Sequence, residues 1–271
     1  MIARHPAVSI ALGALVFILG VAGCATAPAP APAAPRRPLR AATFDEVVAA
    51  YERYSASTET LSGSGDLDVR DLRAGRARKL GFRLVAARGG KLYLKGSIAI
   101  VTALEVVSDG DRFWFQVPSK KTVWTGPARG AAETSDAEAP YYALRPRDVT
   151  SALLPEPLAP GEGETLLLEA SRESFTLTLA RPAGHTVTRR ISLDREQLRP
   201  VRLLDFDARG ELSADTRLGW QGDELRRVEI DRPGEGYQAL LGFDKLERNV
   251  AVPARAFVPR TPQGYAVVEV R

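Results

Sequence analysis

The residues able to do chemistry are few. The 271-residue chain holds one cysteine, Cys24, and two histidines, His5 and His185. A single cysteine excludes an intramolecular disulfide and any thiolate cluster for zinc or iron–sulfur. Gly63-Ser64-Gly65 has the outline of a nucleophile elbow, but that device needs Gly-x-Ser-x-Gly on a strand–turn–helix. Here the serine precedes a strand, and the only downstream histidine, His185, sits in turn sequence. Gly234-Glu235-Gly236 lacks the strand–helix setting of a dinucleotide fingerprint. Asp205 and Asp207 share one strand face and could form an acid pair; beside Leu203, Leu204 and Phe206 they are more simply a solvated face. Glu133, Asp136 and Glu138 belong to an acidic loop. No catalytic residue, metal set or cofactor is implied, and the chain does not read as an enzyme.

The elements that would carry any site begin with an address. Apolar residues make up 45% of the chain, ample for a core, and the net charge of +4 is too small and too evenly spread for a nucleic-acid surface. Arg4 and His5 precede an uncharged apolar run, Ala7 to Gly23, the layout of a secretory signal. The run contains Gly13 and Gly20 and falls short of the ~20 residues of a membrane span. It ends in Val21-Ala22-Gly23-Cys24, which resembles the bacterial lipoprotein signal, or lipobox. That resemblance implies that Cys24 becomes the acylated first residue of the mature chain, an attachment to membrane lipid through multiple acyl chains. Ala25, not Asp, follows the cysteine; by the familiar sorting rule this implies the periplasmic face of the outer membrane. Residues 1–23 are then the signal and 24–42 a Pro/Ala-rich tether. About 15 residues of polyproline II at ~3.1 Å each would hold the body up to ~45 Å from the bilayer.

Residues 43–271 read as one β-rich body. Thr43 and Glu46 form a capping box. Phe44, Val47, Val48, Tyr51 and Tyr54 follow at helical spacing, one apolar stripe. A second short helix is expected from Pro146 to Leu154, with Pro at its start and Pro155 as its stop. Almost everything else reads as strands separated by Asp109-Gly110, Arg209-Gly210, Gly222-Asp223 and similar turns. Ten or eleven antiparallel strands with two helices predict a mainly β (α+β) fold: a single curved antiparallel sheet forming an incomplete barrel with a helical lid. Ala131–Pro140 reads as a long loop.

Two features point to binding. Phe113, Phe115, Trp124, Leu204, Phe206 and Trp220 could line an apolar cavity, or be ordinary core. Between the strands Lys91–Lys95 and Ala103–Ser108, where a turn should be polar, lie Ile98, Ile100 and Val101. They form either an exposed apolar tip for a membrane or partner, or part of a buried strand with a bulge.

The run from Lys91 to Phe115, Lys-Leu-Tyr-Leu-Lys-Gly-Ser-Ile-Ala-Ile-Val-Thr-Ala-Leu-Glu-Val-Val-Ser-Asp-Gly-Asp-Arg-Phe-Trp-Phe, then Gly126, resembles the outer-membrane lipoprotein carrier and receptor (LolA/LolB-like) proteins. So does the ending, with Val252-Pro253, Phe257, Pro262-Gln263-Gly264 and Val267-Val268. The resemblance implies a half-barrel whose apolar cavity receives acyl chains of lipids or lipoproteins. It also implies a protruding loop, here Ser97–Val101, that passes them into the outer membrane. A periplasmic carrier protein as donor and a monomeric state are further expectations. The 127–163 insert departs from the pattern. A non-enzymatic envelope scaffold or regulatory lipoprotein of the same fold is the alternative.

Overall fold

The computed structural model describes residues 39–128 and 144–270. Cys24, the signal, the tether up to Pro38 and the Ala131–Pro140 stretch lie outside the described residues. In chain order come α1 (Phe44–Ala56), β1 (Thr60–Asp71), β2 (Arg76–Ala87), β3 (Lys91–Ile98), β4 (Val101–Asp109), β5 (Arg112–Val117) and β6 (Thr122–Pro127). Next are α2 (Pro146–Leu153), β7 (Thr165–Ala170), β8 (Ser174–Arg181), β9 (Thr186–Asp194) and β10 (Pro200–Phe206). β11 (Leu212–Gln221), β12 (Glu224–Arg232), β13 (Tyr237–Arg248) and β14 (Ala266–Glu269) complete the fold.

All fourteen strands belong to one curved, unclosed sheet in the order β14-β6-β5-β4-β3-β2-β1-β13-β12-β11-β10-β9-β8-β7. This exceeds the expected ten or eleven, because β1 and β2 are charged and Gly-bearing and carry few β-branched residues. Gly63-Ser64-Gly65 therefore lies inside β1 and not ahead of a strand. The β1–β13 register slips between Ser64 and Gly65, and any β-carbon at Gly65 would collide with the carbonyl oxygen of Gly242. Gly65 thus serves a bulge and a close backbone approach, while Gly63 leaves room for the Phe243 and Leu246 side chains. A second departure is β14, which pairs with β6 in parallel, Val267 opposite Val123. To reach that edge the chain crosses the sheet from β13 through a 3-10 turn at Ala254–Phe257.

Alternation divides the sheet's inner face into two cores. Leu84, Leu92, Leu94, Val106, Phe115 and Leu241, all at most 1% exposed, are part of the larger one, and α2 lies on it through Val149, Ala152 and Leu153. The smaller core joins Val47, Ala50 and Tyr51 of α1 to Phe175, Leu177, Ile191 and Leu203 of β8–β10. Helix α1 begins where the capping box sets it: the Thr43 N–H donates to Glu46 Oε2 at 2.7 Å, and the Glu46 N–H to Thr43 Oγ1 at 3.3 Å. Phe44 stands off the buried stripe at 41% exposed. The chain joins the body just before this helix, where Arg195 donates to the Arg40 carbonyl at 3.0 and 2.9 Å.

Thr43→Ala is expected to lower stability by about 1 kcal/mol in urea denaturation at neutral pH. The backbone bond from Thr43 holds the Glu46 carboxyl below its usual range. Its stabilising contribution is therefore present at neutral pH and lost as pH falls through that depressed value, so the difference between variant and parent should shrink in acid. A difference unchanged by pH would remove Glu46 from the cap.

Candidate functional site

The trough under α2 is built from side chains that the β-strand period places on one face. Phe113 and Phe115 enter from β5 and Trp124 from β6, with the Phe115 and Trp124 rings 6.2 Å apart. Phe82 and Phe243 meet edge to face at 5.4 Å. Trp220 packs at the margin of this core; Tyr54 meets its ring edge-on at 5.9 Å and the Arg199 guanidinium sits 4.7 Å above it. Four of the six expected lining residues are therefore together. Leu204 and Phe206 are not among them: alternation along β10 turns Leu203 to the α1 core and Leu204 to the other face, and Phe206 is half-buried at the strand end.

Among the described residues the trough is packed with side chains. The void beside α2 near Ala87, Gly89 and Leu154 is about 50 Å³. The larger cavities lie elsewhere. A polar cleft of about 600 Å³ runs between α2 and β9–β11. A groove of about 510 Å³ lies on the opposite face of the sheet, between Val85, Tyr93 and Val107 and the segment 250–260.

Helix α2 is the plug. Pro146 opens it and its N-cap, Arg145, makes no side-chain cap bond. Its outer surface is tied down by charge. Arg232 donates to Asp148 Oδ1 and Oδ2 at 2.8 and 3.0 Å and to Glu235 at 3.0 Å, and Arg145 donates to Glu235 at 2.7 Å. Burial raises the Asp148 carboxyl against the pull of Arg232 and Arg145. The Tyr237 hydroxyl, buried beneath this cluster, has no hydrogen-bond partner among the described residues, and burial raises it well above its ordinary value. The sequence displayed Pro146 and the helix but not this role, since Asp148, Arg232 and Glu235 meet only through the fold.

The other polar candidates take structural positions. Asp205 pairs with Arg189 at 3.1 Å, while Asp207 accepts backbone N–H groups from Arg209 and Glu211 at 2.8 and 2.9 Å. Those bonds lower the Asp207 carboxyl. His185 has a left-handed φ of 52° and packs Nδ1 2.8 Å from the Pro182 carbonyl in the β8–β9 turn.

The β3–β4 hairpin is longer than its sequence implied, and both readings of it are partly met. A bulge falls between Gly96 and Ser97, and the strands run on to Ile98 and Val101. Yet the tip is exposed: Ile98 54%, Ile100 98% and Val101 67%. Ala99 adopts φ 51°, a left-handed conformation that costs about 1–2 kcal/mol in a non-glycine residue. That backbone sets Ile100 at the apex.

An open, strongly curved antiparallel sheet with a helix laid on its inner face defines a half-barrel fold. No family model and no curated protein matches the sequence. Among solved structures, the chain is similar to a DUF1329 family protein from Desulfovibrio piger, at 14% identity and a TM-score of 0.52, over 78% of this chain and 94% of that one. It is also similar to a LolA superfamily protein from Nitrosomonas europaea, at 9% identity and a TM-score of 0.51, over 81% of this chain and 99% of that one. The fold is shared with a LolA superfamily protein.

Proposed function

We propose that the chain is a lipid-anchored envelope protein that binds acyl chains of lipids or lipoproteins and helps deliver them to the outer membrane. In this reading residues 1–23 are a cleaved signal, Cys24 carries the acyl anchor, 24–42 form the tether, and 43–271 are the half-barrel body. The body is monomeric and faces the periplasm, where a soluble carrier could supply cargo. The observation that carries the reading is the apolar hairpin apex, Ile98, Ile100 and Val101, standing in water on a fold whose inner face is apolar under one short helix. An acyl chain leaving water gains about 25 cal/mol per Å² buried. Entry requires α2 to move, because the trough is filled while α2 is seated. Release needs only a competitor of equal apolarity, and the bilayer is one.

Replacing Ile98 and Ile100 together with Glu tests delivery. Both side chains are exposed, so the urea midpoint should stay within the range of ordinary surface substitutions, about ±0.5 kcal/mol. Transfer of a fluorescent acylated peptide from the protein to vesicles should be lost. Normal transfer would remove the hairpin from the mechanism. The packed trough favours a second reading, an envelope scaffold or regulatory partner that takes no cargo. Native mass spectrometry of protein extracted from membranes separates the two: copurified lipid or acylated peptide supports the carrier, and a protein that stays lipid-free even after incubation with an acylated peptide supports the scaffold.

A further inference from the structure

The charge of the chain is not evenly distributed over the body. The β1–β2, β3–β4 and β5–β6 turns all lie at one end of the sheet, as the antiparallel pairs Asp71–Arg76, Ile98–Val101 and Val117–Thr122 require. Gly81 of β2 pairs with Ser97, so continuing that register puts Lys79 and Arg78 level with Ala99 and Ile100. On the other flank Glu105 pairs with Gln116 and Val117 with Thr122, so the β5–β6 turn that bears Lys120 and Lys121 lies beside the hairpin at the same end of the sheet. The apolar apex is thus set between two basic turns, and Leu72, 54% exposed, adds an apolar residue at the β1–β2 turn.

Residues 66–79 and 118–121 carry seven Lys or Arg and three Asp, a net +4 that equals the charge of the entire chain. The three acids are Asp66, Asp68 and Asp71. Asp68 is paired with Arg70 at 3.0 Å, and Asp71 accepts the backbone N–H groups of Arg73 and Ala74 at 3.0 and 2.9 Å. Asp66 remains exposed one strand away on β1. Arg76, Arg78, Lys79 and Lys121 are exposed and make no ion pair among the described residues. Exposed cations that a protein leaves without carboxylate partners are matched by anions outside it. Here those cations ring a hydrophobic apex and leave it clear.

We propose that this end of the sheet is a membrane-docking face that requires anionic phospholipid: Ile98, Ile100 and Val101 enter the acyl boundary while Arg76, Arg78, Lys79 and Lys121 engage the headgroup phosphates. The proposal rests on the delivery reading of the hairpin and adds the class of lipid surface it selects. Apolar insertion and attraction to anionic lipid combine in interfacial binding, and the attraction is confined to about one Debye length, ~8 Å at physiological salt. Cations level with the apex lie within that distance once the apex is inserted.

The experiment uses the full chain with Ser97→Cys, labelled with an environment-sensitive fluorophore and reconstituted into vesicles. The unsubstituted chain, labelled alongside, reports any signal from Cys24. On phosphatidylcholine containing phosphatidylglycerol at low salt, the fluorophore should shift to the blue. The shifted fraction should fall at least about fivefold on phosphatidylcholine alone, in high salt, and in the Arg76→Glu/Arg78→Glu/Lys79→Glu variant. Adding Ile100→Glu should abolish the shift on every vesicle. A shift of equal size on both vesicle types, and unaffected by charge reversal, overturns the requirement for anionic lipid while leaving the inserting hairpin intact. No shift on any vesicle overturns the hairpin reading, and this proposal with it.

Discussion

Arg232→Ala should destabilise the protein by about 3–5 kcal/mol, one of the larger effects available from a single side chain. Arg232 is 8% exposed and donates to both oxygens of the Asp148 carboxylate, so its removal leaves a buried charge with Arg145 as the one remaining cation acting on it among the described residues. Exposed pairs of the same chemistry, such as Arg209 with Glu211 at 2.9 Å, contribute only about 0–1 kcal/mol. The mechanism predicts its own pH dependence. Burial already raises the Asp148 carboxyl, so its charged form costs stability at neutral pH, and that cost is relieved as pH falls through the raised value. The Arg232→Ala penalty should therefore shrink in mild acid, where a neutral Asp148 needs no counter-charge. Because Asp148 sits in the first turn of α2, the variant should also loosen the plug and raise binding of a hydrophobic dye before global unfolding. Replacing Asp148 and Arg232 together with Leu should recover most of the loss. A single-variant penalty below about 1 kcal/mol would mean that the pair does not hold the helix.

The legibility of this fold in its sequence followed how local each signal was. The capping box at Thr43 and Glu46 and the proline at the start of α2 are local, and both helices form where they imply. β7, Thr165–Ala170, is bounded by turn residues, with Gly161 and Gly163 before it and Ser171 after it. β1 and β2 were harder, since Gly63, Gly65 and a string of charges hide the alternation that Leu80, Phe82, Leu84 and Ala86 do show. The parallel return of β14 could not be read at all, because a four-residue strand has no period of its own and β6 selects it across more than 130 residues of chain. The site divides in the same way. Ile98 and Ile100 were conspicuous, being apolar in a turn. The plug was not, because Asp148 meets Arg232 only when the sheet has curved and α2 has seated on it. Leu204 and Phe206 misled through a general rule of strands: composition marks a strand as apolar, but only the register shows which alternate residues point inward.

Phe115→Ala tests whether the filled trough is also a binding site. Phe115 is 1% exposed and packs against Trp124, so truncation should cost about 3–5 kcal/mol, part lost burial and part unfilled space. On stability alone this outcome fits a carrier and a scaffold equally, since both need the ring in the empty protein. A ligand separates them. If acyl chains occupy this region when α2 moves, a long-chain acylated peptide can fill the space the ring vacated. Binding to the native state adds RT ln(1 + [L]/Kd), about 2.7 kcal/mol at a hundredfold excess over Kd. The carrier reading therefore expects the ligand to raise the thermal midpoint of Phe115→Ala by more than it raises the parent, because the parent must first displace its own side chains. In a scaffold the same ligand leaves both midpoints where they were. An equal gain of stability by parent and variant would place the acyl site elsewhere, with the open groove beneath residues 250–260 the next region to substitute.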